Sequence, residues 1–279
     1  MTDPTTELPL VILDALMPTS QRQVLNRRGS SVWEAKGDRG RHAVKLGYPI
    51  LATEEHPAQE WIAKAPAREA YVLNWLREER TLYGEWELGT WNVQPWHEGP
   101  DLWELWKPCR VEGSTVEPKL DVALSCAEAL ADLHVKGWAH GDVQPAHFIV
   151  GRRGVQLIDL ALAHGQPVIE AFDFPFRGCL VHYEAPEISR SVLAEGTAVP
   201  TPEADVYALG AAFFISATGT RAVAYPDDAP RPVQRQAVVD GPHRPVTVPG
   251  AFGELIGEML RPRPADRPTI GEVCKALDY

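Results

Sequence analysis

Apolar and polar residues alternate along three short runs near the start of the chain: Gln23-Val-Leu-Asn-Arg27, Val32-Trp-Glu-Ala35 and His42-Ala-Val-Lys-Leu46. Gly29-Ser-Ser31 and Lys36-Gly-Asp-Arg-Gly40 separate them. A period of two between turn residues predicts a small antiparallel sheet. Across residues 57–80 the period changes. Trp61, Ile62, Ala65, Tyr71, Val72, Trp75 and Leu76 recur at helical spacing, which predicts one or two helices broken near Pro66. Strands are expected again over 81–89 and 91–96, followed by a linker at 97–101. From residue 119 the chain reads as helical. Val122, Leu124, Ala127, Leu130, Ala131, Leu133 and His134 form a broad apolar face over 121–135. A Pro/Gly-rich stretch runs to Glu187, an apolar helix covers 203–218, and helices close the chain at 252–260 and 270–277. Residues 220–250 hold many prolines and no period, so long irregular loops are expected there. The fold class is α+β, with a strand-rich part over 1–98 and a mainly helical part over 99–279.

The chemistry concentrates between two predicted helices. Ala139-His-Gly-Asp-Val-Gln-Pro-Ala-His-Phe-Ile-Val150 places Asp142 two residues after His140, in a Pro-containing loop that opens onto an apolar strand. A carboxylate there can orient a substrate hydroxyl and accept its proton. Leu157-Ile-Asp-Leu160 places Asp159 at a strand end, where it can hold a magnesium that bridges ATP phosphates. A surface loop with a capping Asp is the bland alternative for either segment alone, and the ordered pair disfavours it.

Composition narrows the classes. The 279 residues carry a formal charge of −11, which repels nucleic acid and anionic membranes and makes both poor partners. Cys109, Cys126, Cys179 and Cys274 are widely separated, without the paired spacing of a zinc site or disulfide framework. No basic and apolar leader pattern opens the sequence, and the apolar run 206–217 is too short to cross a bilayer. The expected location is cytoplasmic.

In order and over nearly its whole length, the chain resembles the eukaryotic-like protein kinase family. The resemblance is carried by His42-Ala-Val-Lys45, Arg68-Glu-Ala-Tyr-Val-Leu73, the two Asp segments, Tyr183-Glu-Ala-Pro-Glu187, Asp205-Val-Tyr-Ala-Leu-Gly210 and Arg267-Pro-Thr269. It implies a bilobal fold with a small β-rich N-lobe and a larger helical C-lobe. It also implies ATP and Mg²⁺ as cofactors, with Mn²⁺ possible, and a protein or peptide as the phosphate acceptor. Lys45 is then the phosphate-binding lysine and Glu69 its ion-pair partner, with Glu60 and Glu78 as alternatives. Val32 and Ala43 pack on the adenine ring, Gln94 lies at the back of the pocket, and Pro95 and His97 offer hinge backbone groups. Asp142 is the catalytic base, His140 holds the loop, Asp159 ligates metal, and Arg267 pairs with Glu187.

The departures from the family are specific. Asn26, Arg28 and Ser30 stand where three glycines of a phosphate-covering loop are expected, leaving Arg27 and Arg28 as side-chain alternatives. Gly141 stands where many kinases have Arg, and Gln144 replaces the loop lysine that contacts the transferred group. His147 replaces an Asn metal ligand; it is either a ligand better suited to Mn²⁺ or Zn²⁺ or a packed loop residue. Residues 159–187 contain no Ser or Thr, so activity is expected not to depend on Ser/Thr phosphorylation there. The readings are a Ser/Thr-directed kinase, including one that modifies precursor peptides, a small-molecule phosphotransferase of the aminoglycoside- or choline-kinase type, and a pseudokinase acting through partners.

Overall fold

The alternation along the early strands gives a sheet with two distinct faces. The computed structural model describes residues 6–27, 29–52, 58–76 and 80–278. Arg28 and Glu78, named above, lie outside the described residues. By its contacts the chain divides into two units: residues 1–96 with 167–174, and residues 97–166 with 175–279.

The first unit begins with helix α1 (Leu10–Leu16), followed by strands β1 (Ser20–Arg27), β2 (Ser30–Gly37) and β3 (Gly40–Gly47). A 3-10 turn at Glu60–Lys64 leads into helix α2 (Ala65–Leu76), then β4 (Leu82–Trp86) and β5 (Gly89–Pro95). The break expected near Pro66 is this change of helix type. Pro66 occupies the first turn of α2, where its missing N–H is tolerated. The strands form one antiparallel sheet in the order β1-β2-β3-β5-β4. Because side chains alternate across a strand, Trp33, Ala35, Val44, Leu46, Trp91 and Val93 share one face, where Leu8 and Ile12 bury them. Helix α1, with Leu8 just before it, therefore seals this face. Val32, Glu34, Ala43, Lys45, Asn92 and Gln94 share the other face through the registers Val32–Lys45, Glu34–Ala43, Ala43–Gln94 and Lys45–Asn92.

The second unit is built on α4 (Leu120–Val135) and α6 (Pro202–Thr218). Helix α6 is apolar nearly all round and correspondingly buried, with Tyr207, Leu209, Phe213 and Phe214 at 2% exposure or less. Thr201 caps its N-terminus by accepting from the Ala204 N–H at 3.2 Å. Trp106, Phe213 and Phe252 pack mutually in tilted and edge-to-face arrangements, with centroids 5.6–6.0 Å apart. Around these lie α3 (Leu102–Leu105), the hairpin β6 (Phe148–Gly151) and β7 (Gly154–Leu157), α5 (Pro186–Glu195), α7 (Arg231–Asp240), α8 (Gly250–Met259) and α9 (Ile270–Leu277).

Helix α7 corrects the expectation of irregular loops over 220–250. Pro230 and Pro232 flank its start, where proline is compatible with a helix, and Arg235 and Val238 are buried on one side. All four cysteines are free. Among the described residues, no helix is long and apolar enough to cross a membrane.

Candidate active site residues

In the first unit, Lys45 Nζ lies 2.8 Å from Glu69 Oε1, with the two side chains 15% and 1% exposed. Register places Lys45 on the polar face of β3, and α2 presents Glu69 to it. Asn92, fully buried on β5, donates its Nδ2 hydrogens to the Pro66 carbonyl at 2.8 Å and to Glu69 Oε2 at 3.0 Å. Gln94 Nε2 donates to Asn92 Oδ1 at 3.1 Å. Val32 and Ala43 lie half-buried on the same face, and Pro95 is exposed at the end of β5. Glu60 is exposed in the 3-10 turn.

Helix α2 is also held from residues 167–174. Arg68, 5% exposed, has Nε 3.7 Å from Asp173 Oδ1 and its guanidinium 5.0 Å from the Phe174 ring centroid. Trp61 packs on Phe174 at 5.1 Å, and the Tyr71 hydroxyl donates to the Pro167 carbonyl at 3.3 Å. At the β1–β2 turn, Gly29 has φ +79°, and a Cβ there would come 2.6 Å from the Tyr48 carbonyl. Asn26 Oδ1 accepts from the Tyr48 hydroxyl at 2.8 Å.

In the second unit, Asp205 at the start of α6 organises the loop. Its carboxylate accepts the His140 N–H at 2.6 Å, the Gly141 N–H at 2.9 Å and the His134 Nε2 hydrogen at 2.9 Å. Gly141 has φ +76°, and a Cβ would meet the Leu162 carbonyl at 2.8 Å and Pro200 at 3.0 Å. The backbone therefore needs glycine here. His140 is fully buried. Its Nε2–H donates to the Ile158 carbonyl at 3.0 Å, and its Nδ1 accepts the Asp142 N–H at 3.2 Å. Burial, reinforced by the His147 charge, lowers its pKa to about 4, so it is a neutral brace between the loop and the strand end.

Asp142 Oδ2 accepts from Gln144 Nε2 at 3.1 Å, while Oδ1 is buried and, among the described residues, has no donor at hydrogen-bond distance; the Leu180 backbone N–H acts on the carboxylate only weakly. Burial raises the Asp142 pKa against the opposing pull of His147, and Asp159 raises it further. His147 donates its Nδ1 hydrogen to the Asp142 carbonyl at 2.8 Å, which turns Nε2 toward Asp159 Oδ2, 3.3 Å away. Burial opposes the imidazolium, but the carboxylates of Asp159 and Asp142 outweigh it, and the His147 pKa is raised. Asp159 has the left-handed backbone φ +67°, a conformation Asp tolerates better than most residues. The Ile158 N–H, donated to the His147 carbonyl at 3.0 Å, fixes the preceding peptide. His97 is half-buried in this unit.

Lys45 and Glu69 are thus bonded, and Val32, Ala43 and Gln94 share their face of the sheet. Asp142, Gln144, His147 and Asp159 form a second linked set. Among the described residues, no group of three or more His, Cys, Asp or Glu side chains converges as a metal cage. Asp159 and His147 present one oxygen and one nitrogen. That donor set suits an ion whose remaining ligands come from phosphate and water, as is usual for nucleotide-bound metals.

Two carboxylates, Glu184 buried just before α5 and Glu187 partly buried in its first turn, tie this part of the chain down. Glu187 pairs with Arg267 through two bonds of 2.7 Å. Glu184 accepts from Arg235 Nε at 2.7 Å and Nη2 at 3.0 Å, from Ser189 Oγ at 2.7 Å and from the Cys179 N–H at 3.0 Å. Asn92 and Arg235 have no role in the sequence reading, and Asp205 and Glu184 enter it only as members of family-like segments, without these contacts. For Asn92 a signal existed, since it alternates with Trp91 and Val93 onto the Lys45 face.

No protein-family model matches the chain. It is 24% identical over 207 residues to serine/threonine-protein kinase 16 of Mus musculus, covering 67% of this chain and 65% of that protein. It is 28% identical over 173 residues to the serine/threonine-protein kinase drp72 of Corynebacterium efficiens, covering 58% and 30%. It is 26% identical over 227 residues to activin receptor type-1B of Homo sapiens, covering 74% and 43%. The matches span less than two thirds of each relative's length. These similarities to Ser/Thr protein kinases support a protein-kinase-like superfamily for the chain.

Proposed function

We propose that the chain is an ATP- and metal-dependent phosphotransferase acting on Ser or Thr hydroxyls of a protein or precursor peptide. The observation that carries this reading is Asp142: one carboxylate oxygen is fixed by Gln144, and the other is a buried acceptor with no donor at hydrogen-bond distance among the described residues. An incoming hydroxyl supplies the missing donor. Asp142 Oδ1 accepts its proton as the hydroxyl oxygen bonds to the γ-phosphorus and the bond to the β,γ-bridging oxygen breaks, releasing ADP. The raised pKa of Asp142 makes it a stronger base than an exposed carboxylate.

Lys45, oriented by Glu69, places a fixed cation for the nucleotide phosphates, and Asn92 holds the second Glu69 oxygen so that the carboxylate cannot rotate away. Asp159 and His147 are the residues that would hold a divalent metal. Bound there, the metal would neutralise phosphate charge, and the imidazole nitrogen favours Mn²⁺ over Mg²⁺. Gln144 contributes orientation of Asp142 rather than a charge on the transferred group. The ion pairs of Glu184 and Glu187 support a phosphorylation-independent activation segment, because cations of the chain already satisfy its carboxylates.

Asp142→Asn tests the reading. Transfer from labelled ATP to a Ser/Thr peptide pool should fall about 10²- to 10⁴-fold, while ATP with Mn²⁺ still raises the melting temperature. Equal transfer by the variant and the unaltered protein would refute the assignment of the base.

A further inference from the structure

Charge is segregated along this chain. Residues 20–47, which span β1, β2 and β3, carry seven Lys or Arg against two Asp or Glu, a net +5 within a chain of net −11. The rest of the chain is thereby left at −16. Soluble surfaces ordinarily intersperse the two signs, and a basic patch on an acidic molecule attracts anionic partners to one place.

Strand register gathers part of this charge. Arg22 stands opposite Glu34, and Lys36 stands opposite Arg41. Alternate residues of a strand share a face, so these four side chains lie on one face, at the end of the sheet where Gly37 pairs with Gly40. Arg22 donates to Glu34 Oε2 from Nε at 3.3 Å and from Nη2 at 2.8 Å. Arg41 Nε donates to Oε1 at 2.8 Å, and Lys36 Nζ lies 3.4 Å from the same oxygen. The Glu34 side chain is only 4% exposed, whereas those of Arg22, Lys36 and Arg41 are 68%, 51% and 36% exposed. One hidden negative charge thus sits beneath three outward positive ones. The three cations carry about thirteen N–H hydrogens against about four carboxylate lone pairs, so Glu34 cannot absorb most of the donors. The Arg41 guanidinium is fixed further by the Trp96 ring, 5.4 Å from its centroid. In the adjoining turn Asp38 and Arg39 are both exposed and offset one another.

The size of the patch selects its ligand. Three strands at about 4.8 Å spacing make it about 10 Å wide. Nucleic acid and anionic bilayers carry charge continuously past that width, and the net −16 of the remaining chain repels them. An extended peptide is narrow enough. Acids two residues apart in it project to one side at about 7 Å, a spacing of the same order as that between the cations. We propose that this end of the β1–β2–β3 face is a docking surface for an acidic, extended peptide segment of a protein partner, with Asp or Glu at alternate positions. Glu34 is its scaffold. By gathering the cations in advance it reduces the conformational freedom lost on binding. Docking needs neither nucleotide nor phosphoryl transfer.

The test is fluorescence anisotropy of the full chain, without ATP, using a labelled peptide of about ten residues that alternates Glu and Gln and so spans the three strands. Binding should weaken as ionic strength rises from about 0.1 to about 1 M, which cuts the screening length from about 10 to about 3 Å. Arg22→Gln with Lys36→Gln leaves Arg41 to cancel Glu34 and should weaken binding about ten-fold; Lys36→Gln alone, at about three-fold, is the substitute if the pair does not fold. Glu34→Gln keeps the shape but removes the negative charge, so it should tighten binding about three-fold. A cluster that only braces the sheet would not bind more tightly on losing its centre. Failure of the peptide to bind, or equal binding by the unaltered and variant proteins, overturns the docking surface. Tighter binding of a single-stranded oligonucleotide of equal charge, or of phosphatidylglycerol vesicles, overturns the assignment of a peptide partner.

Discussion

Arg235 is the perturbation that separates structural pinning of residues 177–189 from incidental charge pairing. Its guanidinium makes two bonds to Glu184 and a third, at 3.2 Å, to the Arg177 carbonyl. The two side chains are 8% and 0% exposed. In Arg235→Met, Glu184 keeps the Ser189 hydroxyl and the Cys179 N–H but loses its counter-charge in a buried site. Removing one partner of a buried pair costs about 3–5 kcal/mol. Adding Glu184→Gln replaces the stranded charge with a neutral amide whose oxygen still accepts from Ser189. What then remains is one donor short of an acceptor, about 1–3 kcal/mol. The double variant should accordingly be more stable than Arg235→Met by about 2 kcal/mol. Urea unfolding followed by tryptophan fluorescence reads this difference, and amide hydrogen exchange over residues 177–189 should show the segment opening first in the single variant. A loss below about 1 kcal/mol in Arg235→Met, or further destabilisation on adding Glu184→Gln, would refute the argument that a desolvated charge holds this segment.

Two further outcomes follow from the same geometry. His147→Asn exchanges a nitrogen facing Asp159 for an amide oxygen, so thermal stabilisation by ATP should shift from favouring Mn²⁺ to favouring Mg²⁺; an unchanged metal preference would exclude His147 as a ligand. Glu34 is held at a pKa of about 2 by hydrogen bonds from Arg22, then Arg41, helped by Lys36. In the unfolded chain it titrates near 4.5. Its contribution is therefore complete above that value and is lost as pH falls toward 2, because the unfolded chain binds the proton first. Acid unfolding curves should lose part of their slope across that window in Glu34→Gln, and identical curves would show that the three cations do not stabilise the native carboxylate.

What could be read from the sequence follows from the range of each signal. Strands β2 and β3 and helices α4, α8 and α9 each bury a face, and burial writes its period directly into neighbouring residues, while α6 is legible as a continuous apolar run. Helix α7 writes a weak period beside Pro226, Pro230 and Pro232, and the prolines dominate unless their place at the helix start is recognised. Helix α1 is seven residues long, shorter than a periodic signal needs, and its purpose is visible only once Trp33, Val44 and Trp91 are placed beneath it. In the site, Asp142 and Asp159 are legible because they recur in a fixed local order. Asp205 serves N–H groups 64 and 65 residues away, and Arg235 meets Glu184 across 51. Such pairings leave no local trace.

Those long-range pairings give physical content to the absence of Ser and Thr from residues 159–187. A phosphate orders a segment by bringing charge to waiting cations. Here Arg235 and Arg267 are occupied by Glu184 and Glu187. In the first unit, Arg68, beside Glu69, lies against Asp173 and Phe174 of the same segment. Each cation that a phosphate would have recruited at these places already has a partner encoded in the chain. The lever for changing the segment's order is then the pairing itself, which is why the Arg235 variants, and not phosphate mimics, are the informative perturbation.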